Sequence, residues 1–335
     1  MRHRISSEQP SEADVGSVGT RARPRLRLAL LLTRPRSGTR PRSDTRPRSG
    51  MRARCALVAV SALAGLLCAG QAANAAAEPS YVALGDSYTA GWGVMPAASG
   101  APPDCGQSAV DYPHLAAAAL GLSLKDVSCR GATTEDMIVA QSADQAPQFD
   151  ALTPSTNYVS LSIGGNDENL FGTVAEGCDE IDAGRVNAGD PCGEALEGFV
   201  AGSLEVVAAE EELALEYIHE LSPHARIFVV GYPEVTPSSG YCPGGIPWNT
   251  GDLAWFRSDL EVRLNDLVRR EALHQHDLFV NTFLPEGHTA CEAADKRWIE
   301  PLFGSLTGIG LHPNAVGEAH VAYDLERAMI NAGVR

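Results

Sequence analysis

An α/β fold with a parallel sheet covered on both faces is expected for residues 76–335. Two observations predict it: short segments alternate with longer helical ones, and the short segments read as continuous apolar runs rather than as an in–out alternation. Tyr81-Val82-Ala83-Leu84 is the first buried strand, ending at Gly85-Asp86-Ser87. Tyr112 to Leu120 is an alanine-rich helix. Asn157 to Ile163, β-branched and apolar, is the second core strand and stops at Gly164-Gly165. Leu196 to Leu221 is a long helix with Phe199, Val200, Leu204, Val207, Leu215 and Ile218 as its apolar positions, and Ser222-Pro223 ends it because proline bars continuation. Arg226 to Val230 is a further strand, followed by the turn Gly231-Tyr232-Pro233. Leu253 to His274 is a helix (Leu260, Leu264, Leu267, Val268), Leu278-Phe279-Val280 the last strand, and Asn314 to Asn331 the closing helix. No repeat of fixed period and no low-complexity linker interrupts 76–335, so one domain is expected there.

Residues 1–75 stand apart. The first 50 are rich in Arg, Pro and Ser, with a near-repeat Arg-Pro-Arg-Ser, a composition too poor in apolar surface to offset ordering entropy; they are expected to be disordered. Met51-Arg52-Ala53-Arg54 then opens an apolar run, Cys55 to Gly70, that closes on Ala73-Asn74-Ala75. Basic start, short apolar centre and Ala-x-Ala exit are the layout of a secretory signal peptide, and the 16-residue run is shorter than the roughly 20 residues of a membrane span. Met51 is therefore read as the start, 51–75 as the signal peptide and 1–50 as an extension ahead of it. The competing reading is a cytoplasmic arm before a signal anchor.

Charge and cysteines agree with export. Residues 76–335 carry 12 of the 26 Lys and Arg and 38 of the 42 Asp and Glu, a formal net charge of −26. Such a surface repels nucleic acid and anionic membranes and favours solubility. Cys105, Cys129, Cys178, Cys192, Cys242 and Cys291 remain after the signal, an even count that reads as disulfides, with the pairing open among 15 possibilities. No Cys-x-x-Cys pair argues for zinc, and His274-x-His276 has no partnering cluster.

The chemistry is carried by four short blocks in order. Gly85-Asp86-Ser87 supplies a hydroxyl at a strand end, Arg130-Gly131-Ala132-Thr133 an unobstructed backbone amide, Gly164-Gly165-Asn166-Asp167 a side-chain amide at another strand end, and His312-Pro313-Asn314 an imidazole just before a helix. In isolation each is a turn serine, a turn glycine, an Asx-turn residue and a lone histidine. Together they are a nucleophile, its base and the donors for a tetrahedral oxyanion, which is the requirement of acyl transfer. In parallel sheets such groups gather at the carboxyl ends of strands, so the blocks can converge on one rim. Asp167 is read as holding its loop.

Gly-Asp-Ser-Tyr-Thr-Ala-Gly, Gly131-Ala132-Thr133-Thr134, Gly164-Gly165-Asn166-Asp167 and His312-Pro313-Asn314-Ala315-x-Gly317 resemble the four blocks of the SGNH (GDSL) hydrolases across nearly all of 80–330. The six cysteines, Trp298-Ile299-Glu300-Pro301 and the His-Pro-Asn-Ala-x-Gly ending resemble its secreted, streptomycete-type lipase/esterase branch. The resemblance implies a flavodoxin-like three-layer α/β/α sandwich, three sequential disulfides, and carboxylic ester hydrolysis through an acyl-enzyme. By position it implies Ser87 as nucleophile, His312 as base, and the Ser87 N–H, Gly131 N–H and Asn166 side chain as the oxyanion hole. One position departs from the broad family: the aspartate three residues before the histidine is Ile309 here, and no acid lies between Glu300 and His312. The imidazole still needs an acceptor at Nδ1. The backbone carbonyl of Ile309 is the expected one, giving a Ser–His dyad.

Three functions compete at this level: a secreted lipase or esterase, including phospholipase A-type action; a carbohydrate acetylesterase; and an inactive binding protein that kept the scaffold. Retention of all four groups argues against the last. Loops 92–110, 168–195 and 232–252 are the candidate substrate walls, the third with Tyr232, Pro233, Tyr241, Ile246, Pro247 and Trp248. No Gly-x-Gly-x-x-G or P-loop is present and no cofactor or metal is called for. The expected partner is an ester substrate, with no nucleic acid, no stable membrane insertion after signal cleavage, and a monomeric enzyme outside the cell.

Overall fold

The computed structural model describes residues 79–183, 189–242, 244–305 and 307–334, which lie in one compact unit, Ala72–Arg335. The segments read as 1–50 extension and 51–75 signal peptide lie outside the described residues. Five strands, β1 (Ser80–Gly85), β2 (Ser123–Asp126), β3 (Tyr158–Ser162), β4 (Arg226–Val230) and β5 (Leu278–Val280), pair in the order β2-β1-β3-β4-β5, every neighbour parallel.

Strand alternation explains the three layers. In β1, Tyr81 and Ala83 face one core with Phe228, Val230 and Val280, covered by α1 (Tyr112–Leu120) and α6 (Ala315–Asn331) through Ala116, Val321, Leu325 and Met329. Val82 and Leu84 face the other, with Val159, Leu161, Ile227 and Val229, under α3 (Pro191–Leu221) and α5 (Val262–His274) through Val207, Leu215, Leu264 and Val268. Both faces are covered, which is why the central strands read as largely apolar runs. This is the expected flavodoxin-like sandwich.

Differences from the sequence reading have physical causes. The edge strand β2 (Ser-Leu-Lys-Asp) is too short and polar to read as an apolar run. Within 168–195, expected as a loop, α2 (Leu170–Asp182) buries Leu170, Val174 and Cys178 at four-residue spacing, and α3 starts at Pro191 with proline in its first turn. The helix expected from Leu253 to His274 begins at Thr250 as α4 (Thr250–Trp255) and passes through a wider π-type turn, Phe256–Glu261, into α5. That turn aims the buried Glu261 carboxylate at the Val235 and Thr236 N–H groups (3.3 and 3.1 Å), pinning the chain as it leaves β4.

The cysteines pair sequentially, Cys105–Cys129, Cys178–Cys192 and Cys242–Cys291, the second joining α2 to the first turn of α3. No helix among the described residues is long and apolar enough to cross a membrane.

Candidate active site

The strand order reverses between β1 and β3, and in parallel sheets the crevice beyond the carboxyl ends at such a switch point is where ligands bind. Three chain segments are stitched together there. The Asp86 N–H donates to the Ser162 carbonyl (3.2 Å), and the Cys129 N–H to the Gly85 carbonyl (3.0 Å). Gln148, buried below, clamps Gly85 by accepting its N–H (2.8 Å) and donating to its carbonyl (2.9 Å). Ser87 therefore leaves β1, the Gly131 turn leaves β2, and Asn166 leaves β3 from one fixed edge.

Ser87, 5% exposed, directs Oγ at His312 Nε2 at 2.8 Å. His312 Nδ1 lies 2.8 Å from a backbone carbonyl, which only accepts; the ring's proton is thus on Nδ1, and Nε2 presents a lone pair to the serine. That carbonyl belongs to Gly310 and not to the expected Ile309, whose carbonyl accepts the backbone N–H of His312 instead (3.1 Å). The reason is local: Leu311 takes a left-handed backbone (φ 60°), and the resulting tight turn swings the Gly310 carbonyl under the ring.

The histidine loop is held from both sides. The Glu300 N–H donates to the His312 carbonyl and the Leu311 N–H to the Glu300 carbonyl, both at 2.9 Å, and Ile299 bridges to Pro313. Asn314 caps α6, accepting the Val316 and Gly317 N–H groups (3.0 and 3.1 Å). Tyr88 and Trp92 flank the imidazole, with centroids 4.9 and 5.2 Å away, and the Tyr88 hydroxyl donates to the Leu311 carbonyl. Burial among these rings lowers the His312 pKa to about 4, against the raising effect of the Gly310 hydrogen bond.

Of the residues expected as oxyanion donors, Gly131 adopts φ 74°, a conformation that disfavours any side chain. The Asn166 Nδ2 donates to the Ala132 carbonyl (3.0 Å), which joins its loop to the Gly131 turn and leaves a second N–H on the same nitrogen. Asp167 accepts the Thr134 N–H (3.1 Å) and hydroxyl, fixing the loop as its sequence position implies; burial raises its carboxyl to about 7. Glu168 and Asn169 follow in left-handed backbone, so the chain turns sharply out of the site into α2.

Sequence reasoning missed a buried relay beneath these groups. The Gly165 N–H donates to Tyr232 Oη (3.0 Å), whose hydroxyl donates to Asp86 Oδ2 (2.7 Å), while Asp86 Oδ1 accepts the Tyr88 N–H (2.9 Å). Burial lifts the Asp86 carboxyl to about 6. Tyr232 is thus a strut and not a substrate wall; Pro233, Ile246 and Trp248, also expected on that wall, are buried, and Tyr241 and Pro247 are exposed. The sequence signal for the relay was present in Asp86 and Tyr88, which flank Ser87, but nothing along the chain pointed from Asp86 to Tyr232.

Comparison with known proteins identifies the family. Residues 83–320 match the GDSL-like lipase/acylhydrolase family. Lipase 2 of Streptomyces coelicolor is 38% identical over 260 residues, covering 75% of this chain and 86% of that protein, and an esterase of Streptomyces scabiei is 30% identical over 272 residues, covering 69% and 79%. Among solved structures, phospholipase A1 from Streptomyces albidoflavus superposes with a TM-score of 0.60 at 27% identity over 76% of this chain and 99% of that one, and the extracellular lipase of Streptomyces rimosus with 0.61 at 26% over 75% and 99%. The chain belongs to the GDSL-like lipase/acylhydrolase family and is an ester hydrolase of its lipase/esterase kind.

Proposed function

We propose that this is an exported lipase that cleaves acyl esters, phospholipid esters included, through an acyl-enzyme on Ser87. The observation that carries the reading is the 2.8 Å contact between Ser87 Oγ and an imidazole whose tautomer is fixed by the Gly310 carbonyl. As Oγ attacks the ester carbonyl carbon, its proton passes to Nε2. The tetrahedral oxyanion is met by the N–H groups of Ser87 and Gly131 and the free N–H of Asn166 Nδ2. Collapse breaks the ester C–O bond, and the alkoxide leaves with the proton from Nε2. Water then repeats the sequence on the acyl-enzyme. A neutral carbonyl stabilises the transient imidazolium less than a carboxylate would, so the dyad leans on the oxyanion donors.

The basic–apolar–Ala-x-Ala segment at 51–75, the three cysteine pairs and the extracellular relative support export. The choice of lipid esters rests on the lipases and the phospholipase A1 among the similar proteins. The test is hydrolysis of p-nitrophenyl esters from acetate to palmitate, and of phosphatidylcholine, by the purified protein beside Ser87→Ala. Expected is turnover favouring medium or long chains, lost by at least about 10³-fold in the variant. Activity on acetate alone contradicts the lipid assignment, and turnover unchanged in Ser87→Ala contradicts the nucleophile.

A further inference from the structure

We propose a divalent-cation site, best suited to Zn²⁺, formed by Asp111, His114 and Asp126 at the edge of the sheet. The three side chains each place a ligand atom within 4.8 Å of the others. Asp111 ends the loop before α1, His114 sits in its first turn, and Asp126 ends β2. The sequence reading passed over them because Asp126 comes into reach only when β2 folds back beside the start of α1.

What points to a ligand is how the carboxylates are bonded. Asp111 is fully buried; its Oδ1 accepts the His114 N–H (2.9 Å) and lies 2.7 Å from His114 Nδ1, while its Oδ2 is buried with no partner. The Asp126 side chain is 3% exposed; its Oδ1 accepts the Ser128 N–H (2.9 Å) and hydroxyl (2.7 Å), while its Oδ2, in ion-pair contact with His114 Nδ1 at 3.7 Å, is again buried and accepts no hydrogen bond. Each carboxylate has thus satisfied one oxygen with protein donors and kept the other for the shared space. Glu318, also buried, repeats the pattern: Oε2 accepts the Tyr112 N–H (2.9 Å) and Oε1 has no partner.

Buried carboxylate oxygens without donors are costly, and close carboxylates raise one another's cost. A divalent cation relieves both. Two carboxylate oxygens and His114 Nδ1, which gives up to solvent the proton it shares with Asp111 Oδ1, suit Zn²⁺, which takes oxygen and nitrogen ligands at roughly 2.0–2.2 Å; the half-exposed face of His114 leaves the fourth position to water. Bound there, the ion fastens the edge strand β2 to the start of α1. It also adjoins the turn that carries Ser87, since a Cβ on Gly91 would come within 2.8 Å of Asp111 Cβ. The role is structural; the dyad proposed above needs no metal.

The test uses chelator-stripped full-length protein, titrated with Zn²⁺, Mn²⁺ and Ca²⁺ by calorimetry and followed by thermal unfolding. Expected is one Zn²⁺ per chain and a folded-to-unfolded ratio raised about 100-fold at one hundred times Kd. Both effects should disappear in His114→Gln, a change at a half-exposed position, and in the near-isosteric Asp126→Asn. Zn²⁺ binding that survives both variants, no stoichiometric binding of Zn²⁺, or a preference for Ca²⁺ indifferent to His114→Gln would each overturn the assignment.

Discussion

A single carbonyl fixes the tautomer of His312. With Gly310 O on Nδ1, the ring is held as the tautomer whose Nε2 accepts from Ser87, and no carboxylate is present to pull its pKa up. Burial therefore dominates and lowers it to about 4. As the proposed base, His312 then stays neutral well into acid, so the acid limb of kcat/KM should have its midpoint near pH 4 and not near the ordinary histidine value of about 6.5. A pH–rate profile on a soluble ester checks this, and a midpoint between 6 and 7 contradicts it. The four motif residues were legible because each stands directly beyond a strand or before a helix, where sequence position nearly equals place in space. Gly310 was not, because the choice between neighbouring carbonyls depends on the left-handed turn at Leu311, a residue type with no preference for that conformation. Tyr232 was misread for a related reason: an aromatic ring in a loop looks like a wall until its hydroxyl is seen between Gly165 and Asp86.

Elements position these residues through their ends. Asn314 is both the cap of α6 and a neighbour of the His312 loop: its N–H donates to the Trp298 carbonyl (2.7 Å), and its Nδ2 to the Arg297 carbonyl (3.0 Å). Asn314→Ala removes the cap and the Arg297 contact together. We expect a loss of about 1–2 kcal/mol, read as a lower midpoint in urea unfolding followed by tryptophan fluorescence. A midpoint unchanged in the variant contradicts the cap's role. Strands and helices with strong apolar periodicity were legible to within a few residues, whereas β2 and α2 were not. β2 is a four-residue edge strand with alternate positions exposed, so it lacks the continuous apolar signature of its buried neighbours. The register for α2 was present at Leu170, Val174 and Cys178, but two glycines and four acids within the helix obscured it.

Across the whole molecule, burial of acids sets the response to pH. Burial raises the carboxyls of Asp86 to about 6, Asp167 to about 7 and Glu261 to about 8. Between the ordinary carboxylate range and those values the folded chain keeps protons that the unfolded chain releases, so these groups stabilise the fold in acid and lose that contribution as pH rises. His312 acts oppositely: from about pH 6.5 down to 4 the unfolded chain takes up a proton that the folded ring refuses. Three groups outweigh one, and protonation also relieves a net charge of −26 on residues 76–335. Thermal unfolding in chelating buffer should therefore give a higher Tm at pH 5 than at pH 8; the reverse order would show that these carboxyls are not held protonated. The three-layer architecture was legible at this scale because both faces of the sheet are apolar, a property of composition and order that survives errors in individual boundaries.

The central claim is that Ser87, activated by His312 alone, is the nucleophile. Labelling the protein with a fluorophosphonate and locating the adduct by peptide mass spectrometry tests it most directly. The predicted result is one adduct on the peptide containing Ser87, absent from Ser87→Ala and slowed by about 10³-fold or more in His312→Ala. An adduct on another serine, or labelling at the full rate without His312, would contradict the account.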